Sequence, residues 1–265
     1  MLKKLLKQLY NDKNKGYMNL GYACINTIMS ANGIMTNRTM RRKTFEAKGL
    51  EYVSDLALLN VKDLKTIVQW NNEMKIKLFR LSSQIFPWSD DYKLSDLKDY
   101  DEICKIMLEI GAIATKAGQR LTMHPGPYNC LASPTPKVVA KTVRELNNHS
   151  EQFNMMGFKP SNYNKINIHV GGAYGDKSAT LARFVENFEL LNDDTKKRLV
   201  IENDDSPNEY SVKNLFDGIY QSIGIPITFD YFHHKFNDSG MTEEQALKMA
   251  AITWPEGITQ CCHYS

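Results

Sequence analysis

The chain lacks any run of about 18 apolar residues, which argues against a membrane-spanning helix and against a membrane partner. No charged, apolar and small-residue succession of a secretory signal is found at its start, so a soluble intracellular protein that is not secreted is expected. Cysteine is sparse and awkwardly distributed: Cys24, Cys104, Cys130, Cys261 and Cys262 are odd in number and form no CxxC pair, which favours reduced thiols. Charge of one sign is scarce too, because 33 basic against 30 acidic side chains leave only +3. That balance is too small to imply nucleic acid by itself, so any such argument must rest on where the basic residues lie. There is no low-complexity tract, no internal repeat and no interdomain linker, and 42% hydrophobic with 24% charged residues is ordinary for a globular domain.

What the chain does contain is a set of short apolar runs that each end in a polar residue. They are Met123-His124, Ile168-His169, Ile201-Glu202, Phe229-Asp230 and Cys262-His263, with Ile201-Glu202-Asn203-Asp204-Asp205 the most heavily charged. A buried strand that closes on charge, several times over, fits parallel strands delivering working side chains to one shared face. Strands are expected near Asn19 to Ile25, Ile76 to Leu81, Arg120 to Met123, Lys165 to His169, Arg198 to Glu202, Ile225 to Asp230 and Thr259 to His263. Helices are expected between them near Val53 to Trp70, Tyr100 to Ala117, Pro136 to Met155, Ser178 to Leu191, Ser211 to Ser222 and Thr242 to Ala251. Thr135-Pro136 and Ser178 read as helix starts, and Thr242-Glu243-Glu244-Gln245 as a capping box.

The resulting expectation is an α/β fold, a TIM-type (β/α) barrel lacking its eighth strand, as one domain over residues 1–265. That length is close to the roughly 250 residues usual for such a barrel. Residues 1–17 begin with Leu2, Leu5, Leu6 and Leu9 at helical spacing, a short amphipathic N-terminal helix that covers one end of the barrel or, alternatively, contacts a membrane surface or nucleic acid. Seven strands leave two sheet edges to be closed on each other, by that helix, or by a second subunit, and the oligomeric state stays open.

His124, His169, Glu202, Asp230, His233 and His263 gather imidazole nitrogens and carboxylates at one end of this barrel, a donor set suited to zinc, manganese or iron. His149, in a polar helical stretch, is expected to be exposed, and His234 is an adjacent alternative to His233. A centre holding two or more ions suits hydrolysis of a phosphate ester or isomerisation of a sugar, and the strand ends alone do not separate the two.

Several local sequences go further. Gly21-Tyr22 with Asn26, Phe79-Arg80-Leu81-Ser82-Ser83 running to Phe86-Pro87-Trp88, His124-Pro125-Gly126-Pro127-Tyr128, Ile201-Glu202-Asn203-Asp204, Phe229-Asp230-Tyr231-Phe232-His233-His234 and His263-Tyr264-Ser265 together resemble the UV damage endonuclease family. The resemblance runs from about Asn19 to Ser265. It implies a TIM barrel related to endonuclease IV that cuts double-stranded DNA immediately 5′ to ultraviolet photoproducts, with divalent metal ions as cofactors. Manganese is the expected ion, with zinc or magnesium as alternatives.

Carried over by position, the resemblance makes His124, His169, Glu202, Asp230, His233 and His263 metal ligands. Catalysis falls to Glu202, Asp230 and His169, with Glu202 bridging ions. Tyr128 becomes part of a probe wedged into the duplex on the turn that holds Pro127, while Tyr22 and Asn26 lie near the damaged nucleotides. The basic loop Arg38, Arg41, Arg42 and Lys43 follows the first strand, so it should lie on the face of the metals and grip phosphates.

Three departures from the family stand out. Pro127 replaces a glutamine, Cys261 replaces a lysine two residues before His263, and a further histidine and glutamate of the family have no counterpart after Ser265. A modified or incomplete metal set is therefore expected. The alternatives are a catalytically impaired relative that binds damaged DNA without cutting it, and a metal-dependent sugar isomerase, in which the tyrosine-bearing and basic loops would have no role.

Overall fold

The computed structural model describes residues 19–264. The expected N-terminal helix over residues 1–17 and the terminal Ser265 lie outside them. Six strands form one sheet in sequence order: β1 (Gly21–Ala23), β2 (Leu78–Leu81), β3 (Arg120–Met123), β4 (Ile166–Ile168), β5 (Leu199–Glu202) and β6 (Ile227–Thr228). Every pairing is parallel. The helices are α1 (Thr27–Ser30), α2 (Arg42–Glu73), α3 (Tyr100–Ala117), α4 (Pro136–Met155), α5 (Lys177–Phe188), α6 (Asp193–Arg198), α7 (Val212–Leu215), α8 (Gln221–Ile223), α9 (Tyr231–His234) and α10 (Glu243–Ala251). Strands this short and apolar, each followed by a helical crossover, give the α/β barrel architecture expected of the sequence.

The seventh strand is reduced to one contact. Among the described residues, the backbone of the segment over residues 259–263 pairs with the sheet only at the parallel bridge between Asp230 and His263. There His263 N donates to Phe229 O at 2.9 Å and Tyr231 N to His263 O at 3.1 Å. Among the described residues this segment has no strand on its other side and does not pair with β1, so nothing extends its ladder.

Strand period explains where the polar groups go, since alternate residues share a face. Glu202 is inward, so Val200 is too; His263 is inward, so Cys261 is too. Val200, Trp254 and Cys261, with Leu78 and Ile258, make a small apolar cluster separate from the main core. It fills the barrel beneath the polar strand ends. The opposite faces of the strands carry Phe79, Leu121, Met123, Ile166, Ile168, Leu199, Ile201 and Ile227, all buried in the main core together with α2 to α5. At roughly 25 cal/mol per Å² of apolar surface, this layer between sheet and helices is the chief stabilising contact of the fold.

Helix boundaries follow local chemistry. Asp176, not Ser178, caps α5, its side chain accepting from Ala179 N. Thr135 holds the cap position of α4 without a side-chain bond, and Pro136 supplies the preset first turn. Thr242 and Gln245 form the expected capping box. The helix expected from Val53 to Trp70 extends to Arg42–Glu73 and is broken at Gly49, whose φ of 64° only glycine adopts without strain. Arg42 and Lys43 therefore belong to a helix and not to the expected loop. Between α7 and α8 the chain makes a wide π turn over Phe216–Tyr220. There Gly218 lets α5 approach so closely that a Cβ would sit 2.6 Å from Leu181 Cδ1. His149, expected outside, is 1% exposed. It continues the buried stripe Val139, Thr142, Leu146 and Phe153 of α4, and burial lowers its pKa.

Candidate metal centre

Glu202 ends β5 and is 1% exposed, an isolated carboxylate that burial alone would hold neutral. The structure surrounds it with imidazoles. His124, immediately after β3, puts Nε2 3.1 Å from Glu202 Oε2, and His263 puts Nδ1 2.9 Å from Oε1. His169, after β4, has Nε2 3.8 Å from Oε2, and His233, in α9, has Nδ1 3.9 Å from Oε1. Burial pushes the Glu202 pKa up, but the surrounding imidazoles, His263 first and then His124, outweigh it and hold the carboxyl well below the usual range.

Two groups of donors result, each with ligand atoms within 4.8 Å of one another: His124, Glu202 and His263, and His169, Glu202 and His233. Glu202 belongs to both. A carboxylate placed between two donor sets is the arrangement by which one residue bridges two ions. Asp230 belongs to neither group: its Oδ1 accepts from Phe232 N at 2.8 Å and His233 N at 2.9 Å, capping α9, and lies 4.0 Å from His233 Nδ1.

The partners behind the histidines set which nitrogen each one presents. His124 Nδ1 donates to Pro125 O at 3.1 Å, which turns its Nε2 towards Glu202. His233 Nδ1 donates to Asn203 O at 2.7 Å, and His169 Nδ1 meets Asp204 Oδ1 at 2.7 Å. Burial opposes charge on His169, yet Asp204 and then Glu202 push its pKa up to about 9. His263 goes the other way, down to about 4, through burial and then the charge of Lys165, whose Nζ stands 3.1 Å from His263 Nε2. Imidazole nitrogens and a buried carboxylate, oriented by carbonyls and a second carboxylate, fit divalent ions such as manganese or zinc.

Comparison with known proteins accords with this geometry. The UV-endonuclease UvdE profile matches residues 18–265. The chain belongs to the UV-endonuclease UvdE family. It is 37% identical over 257 residues to the UV-damage endonuclease of Schizosaccharomyces pombe, covering 93% of this chain but only 42% of that protein's length. A putative UV-damage endonuclease of Acanthamoeba polyphaga mimivirus is 33% identical, covering 95% of this chain and 76% of the relative. Among solved structures, that of SacUVDE superposes with a TM-score of 0.80 at 33% identity, covering 90% of this chain and 78% of the other.

The other positions that the family resemblance singles out have contacts of their own. Asn129 N donates to Gly126 O at 3.1 Å, closing a turn with Pro127 and Tyr128 at its tip, and Asn129 is itself held by Glu145 Oε1 at 2.8 Å. Tyr128 is 90% exposed on that stiff support. Tyr22 and Asn26 come together, the amide donating to the phenol oxygen at 2.9 Å and the phenol to Asn71 Oδ1 at 2.8 Å. Strand register sets Tyr22 beside Phe79, one residue out of step with the inward Thr122, so its ring lies against the helices. Arg38 is tied down by Asp63 Oδ2 at 2.7 Å and by Gly33 O and Met35 O. Arg42 pairs with Glu46 and Asp91. Arg41 and Lys43 are exposed. Cys261, at the position where the family resemblance implies a lysine, is buried beside Val200 and Trp254, with Arg120 and Lys165 near enough for their charges to act on it.

Four residues that serve the centre were not singled out as site residues in the sequence. Asn167 donates to Glu202 Oε2, and Lys165 Nζ reaches Asn167 Oδ1 at 2.9 Å and Thr228 Oγ1 at 2.7 Å as well as His263. Asn203 joins two strand ends, accepting from Asp230 N at 2.8 Å, and Asp204 orients His169. Counting back by twos from His169 would have found Asn167 and Lys165, polar residues alternating with Ile166 and Ile168. No helix among the described residues is long and apolar enough to cross a membrane.

Proposed function

We propose that this chain is a metal-dependent DNA repair endonuclease that hydrolyses the phosphodiester 5′ to ultraviolet photoproducts in double-stranded DNA, leaving a 3′ hydroxyl and a 5′ phosphate. The observation that carries this reading is one buried carboxylate, Glu202, shared by two histidine groups at the working end of a barrel of the UvdE family. Relatives covering most of this chain are named UV-damage endonucleases.

His124, His169, Glu202, His233 and His263 would hold the ions, with Asp230 fixing the helix that carries His233. Divalent ions held there supply the positive charge that phosphodiester hydrolysis needs at the attacking and leaving oxygens. The residues do the rest. Asp204 and the Pro125 and Asn203 carbonyls keep the imidazoles oriented. Val200 and Cys261 pack with Trp254 on the inward face, one step along the strands from Glu202 and His263. Tyr128, raised on its turn, wedges into the duplex, where a distorted lesion is less costly to unstack than a normal pair. Arg41 and Lys43 lie exposed to meet phosphates.

The test is nicking of supercoiled plasmid, ultraviolet-irradiated or not, in manganese, zinc or magnesium and in chelator. Damage-dependent nicking that chelator stops and that His169→Ala and Glu202→Ala abolish is the expected result. Damage-dependent binding by folded, metal-loaded protein without nicking would leave a binding role in place of the endonuclease.

A further inference from the structure

Beside the metal centre the chain carries an exposed aromatic ledge that the reading above leaves unused. α9 brings His233 to Glu202, and the residues flanking it on the outer side are Phe232 and Phe236, 39% and 58% exposed. Their rings meet edge to face with centroids 5.1 Å apart. Tyr264 follows His263 directly and is 72% exposed. Lys235 joins the two halves: its Nζ donates to the Tyr264 hydroxyl at 3.3 Å and lies 5.3 Å from that ring's centroid. Among the described residues this ammonium pairs with no carboxylate, unlike Lys213 and Lys248 on neighbouring helices, which pair with Asp217 and Glu244.

Four side chains are too few for a stable protein partner, which needs roughly 20–30 residues a side. They are the right chemistry for a nucleotide. Every base has a π face that stacks on aromatic rings, and its phosphate takes a lone ammonium. Position points the same way. The ledge is continuous in the chain with His233 and His263, one histidine from each of the two donor groups that share Glu202.

We propose that Phe232, Lys235, Phe236 and Tyr264 form a second DNA-holding element, in which the rings stack an unpaired base and Lys235 takes the adjoining phosphate. This rests on the proposed endonuclease function and adds to it a grip on the strand beside His233 and His263. The bases displaced when the duplex is distorted need a surface to leave the stack for, and this is the one that adjoins two metal-group histidines.

The experiment measures the affinity of the protein for a labelled duplex carrying one pyrimidine dimer, with 2-aminopurine placed in turn at the bases around the lesion. The protein with Phe232→Ala and Phe236→Ala together should bind at least roughly fivefold more weakly, at the low end of what one stacked base contributes. It should also lose the fluorescence rise at one flanking base, while Phe232→Trp keeps both. Lys235→Ala should lower the salt dependence by about one counterion. Unchanged metal content shows that the ledge acts on DNA and not on the centre. Variants that bind the damaged duplex as tightly as the parent, with the same fluorescence, would overturn the ledge and leave the endonuclease reading standing. If the parent itself shows no preference for damaged DNA, both fall. A change of sedimentation in the alanine variants with unchanged DNA affinity would make the patch a self-association surface instead.

Discussion

Asp204 Oδ1 stands 2.7 Å from His169 Nδ1, and this contact makes the aspartate the device that orients the histidine towards Glu202. In metal-free protein it also keeps the imidazole charged, with a pKa of about 9 in place of roughly 6.5 when unfolded. The folded value is the higher one, so this group's contribution to stability is complete below about pH 6.5 and is lost as pH rises towards 9. Asp204→Asn should bring the titration of His169 down towards or below the unfolded value, read by NMR of the ring. A parent protein whose His169 titrates at 6.5 or lower would contradict the argument.

His263 should show the opposite sign. Burial, then the neighbouring Lys165 charge, lowers its pKa to about 4, below the unfolded value. Between those two values the unfolded chain binds the extra proton, so this contribution is present above about pH 6.5 and is lost as pH falls towards 4. Lys165→Met should raise the His263 value, measured in the same NMR titration of metal-free protein. No movement would mean that Lys165 does not act on the imidazole.

Removing Glu202 should affect both donor groups at once, because it is the member they share. Glu202→Gln keeps the size and loses the charge, and should reduce metal stoichiometry as well as affinity in calorimetric titration with manganese. Asp204→Asn acts one step further out, through His169, and should lower affinity by about 10- to 100-fold with stoichiometry preserved. Equal effects from the two variants would argue against a shared carboxylate.

Tyr128 and Arg38, both DNA-contact candidates by position, should separate cleanly. Tyr128 is 90% exposed, so Tyr128→Ala should leave the unfolding free energy from urea titration within about 0.5 kcal/mol of the parent while weakening binding to damaged duplex. Arg38 holds Asp63 and two carbonyls, so Arg38→Ala should cost about 1–3 kcal/mol of stability. A neutral Arg38→Ala with lost DNA affinity would restore the arginine to the DNA surface.

Gly49 tests the broken helix. Nothing lies within 4 Å of a Cβ built there, so the effect of Gly49→Ala comes from its φ of +64° alone. A loss of about 1–3 kcal/mol is expected, because φ +64° with ψ −162° is a region essentially confined to glycine. A gain in stability would show that α2 can run through unbroken.

By itself the sequence determined the barrel and most of the candidate ligands, because both are local patterns: apolar runs with polar ends, and helices marked by Pro136 and Thr242. A strand's last residue is carried to the shared face whatever its neighbours do, which is why His124, His169, Glu202 and His263 could be grouped before any contact was known. Tertiary structure alone decided how the group is arranged. That Glu202 sits between two histidine pairs, that Asp204 serves His169 and that Lys165 reaches His263 depend on the stagger of β4, β5 and β6, which no local pattern records. The same holds for what was misplaced. His149 looked exposed because its neighbours are polar, yet burial follows the face a helix turns to the sheet. Likewise, only the tertiary structure shows that Arg38 and Arg42 of the basic run pair with Asp63 and Asp91 from distant parts of the chain.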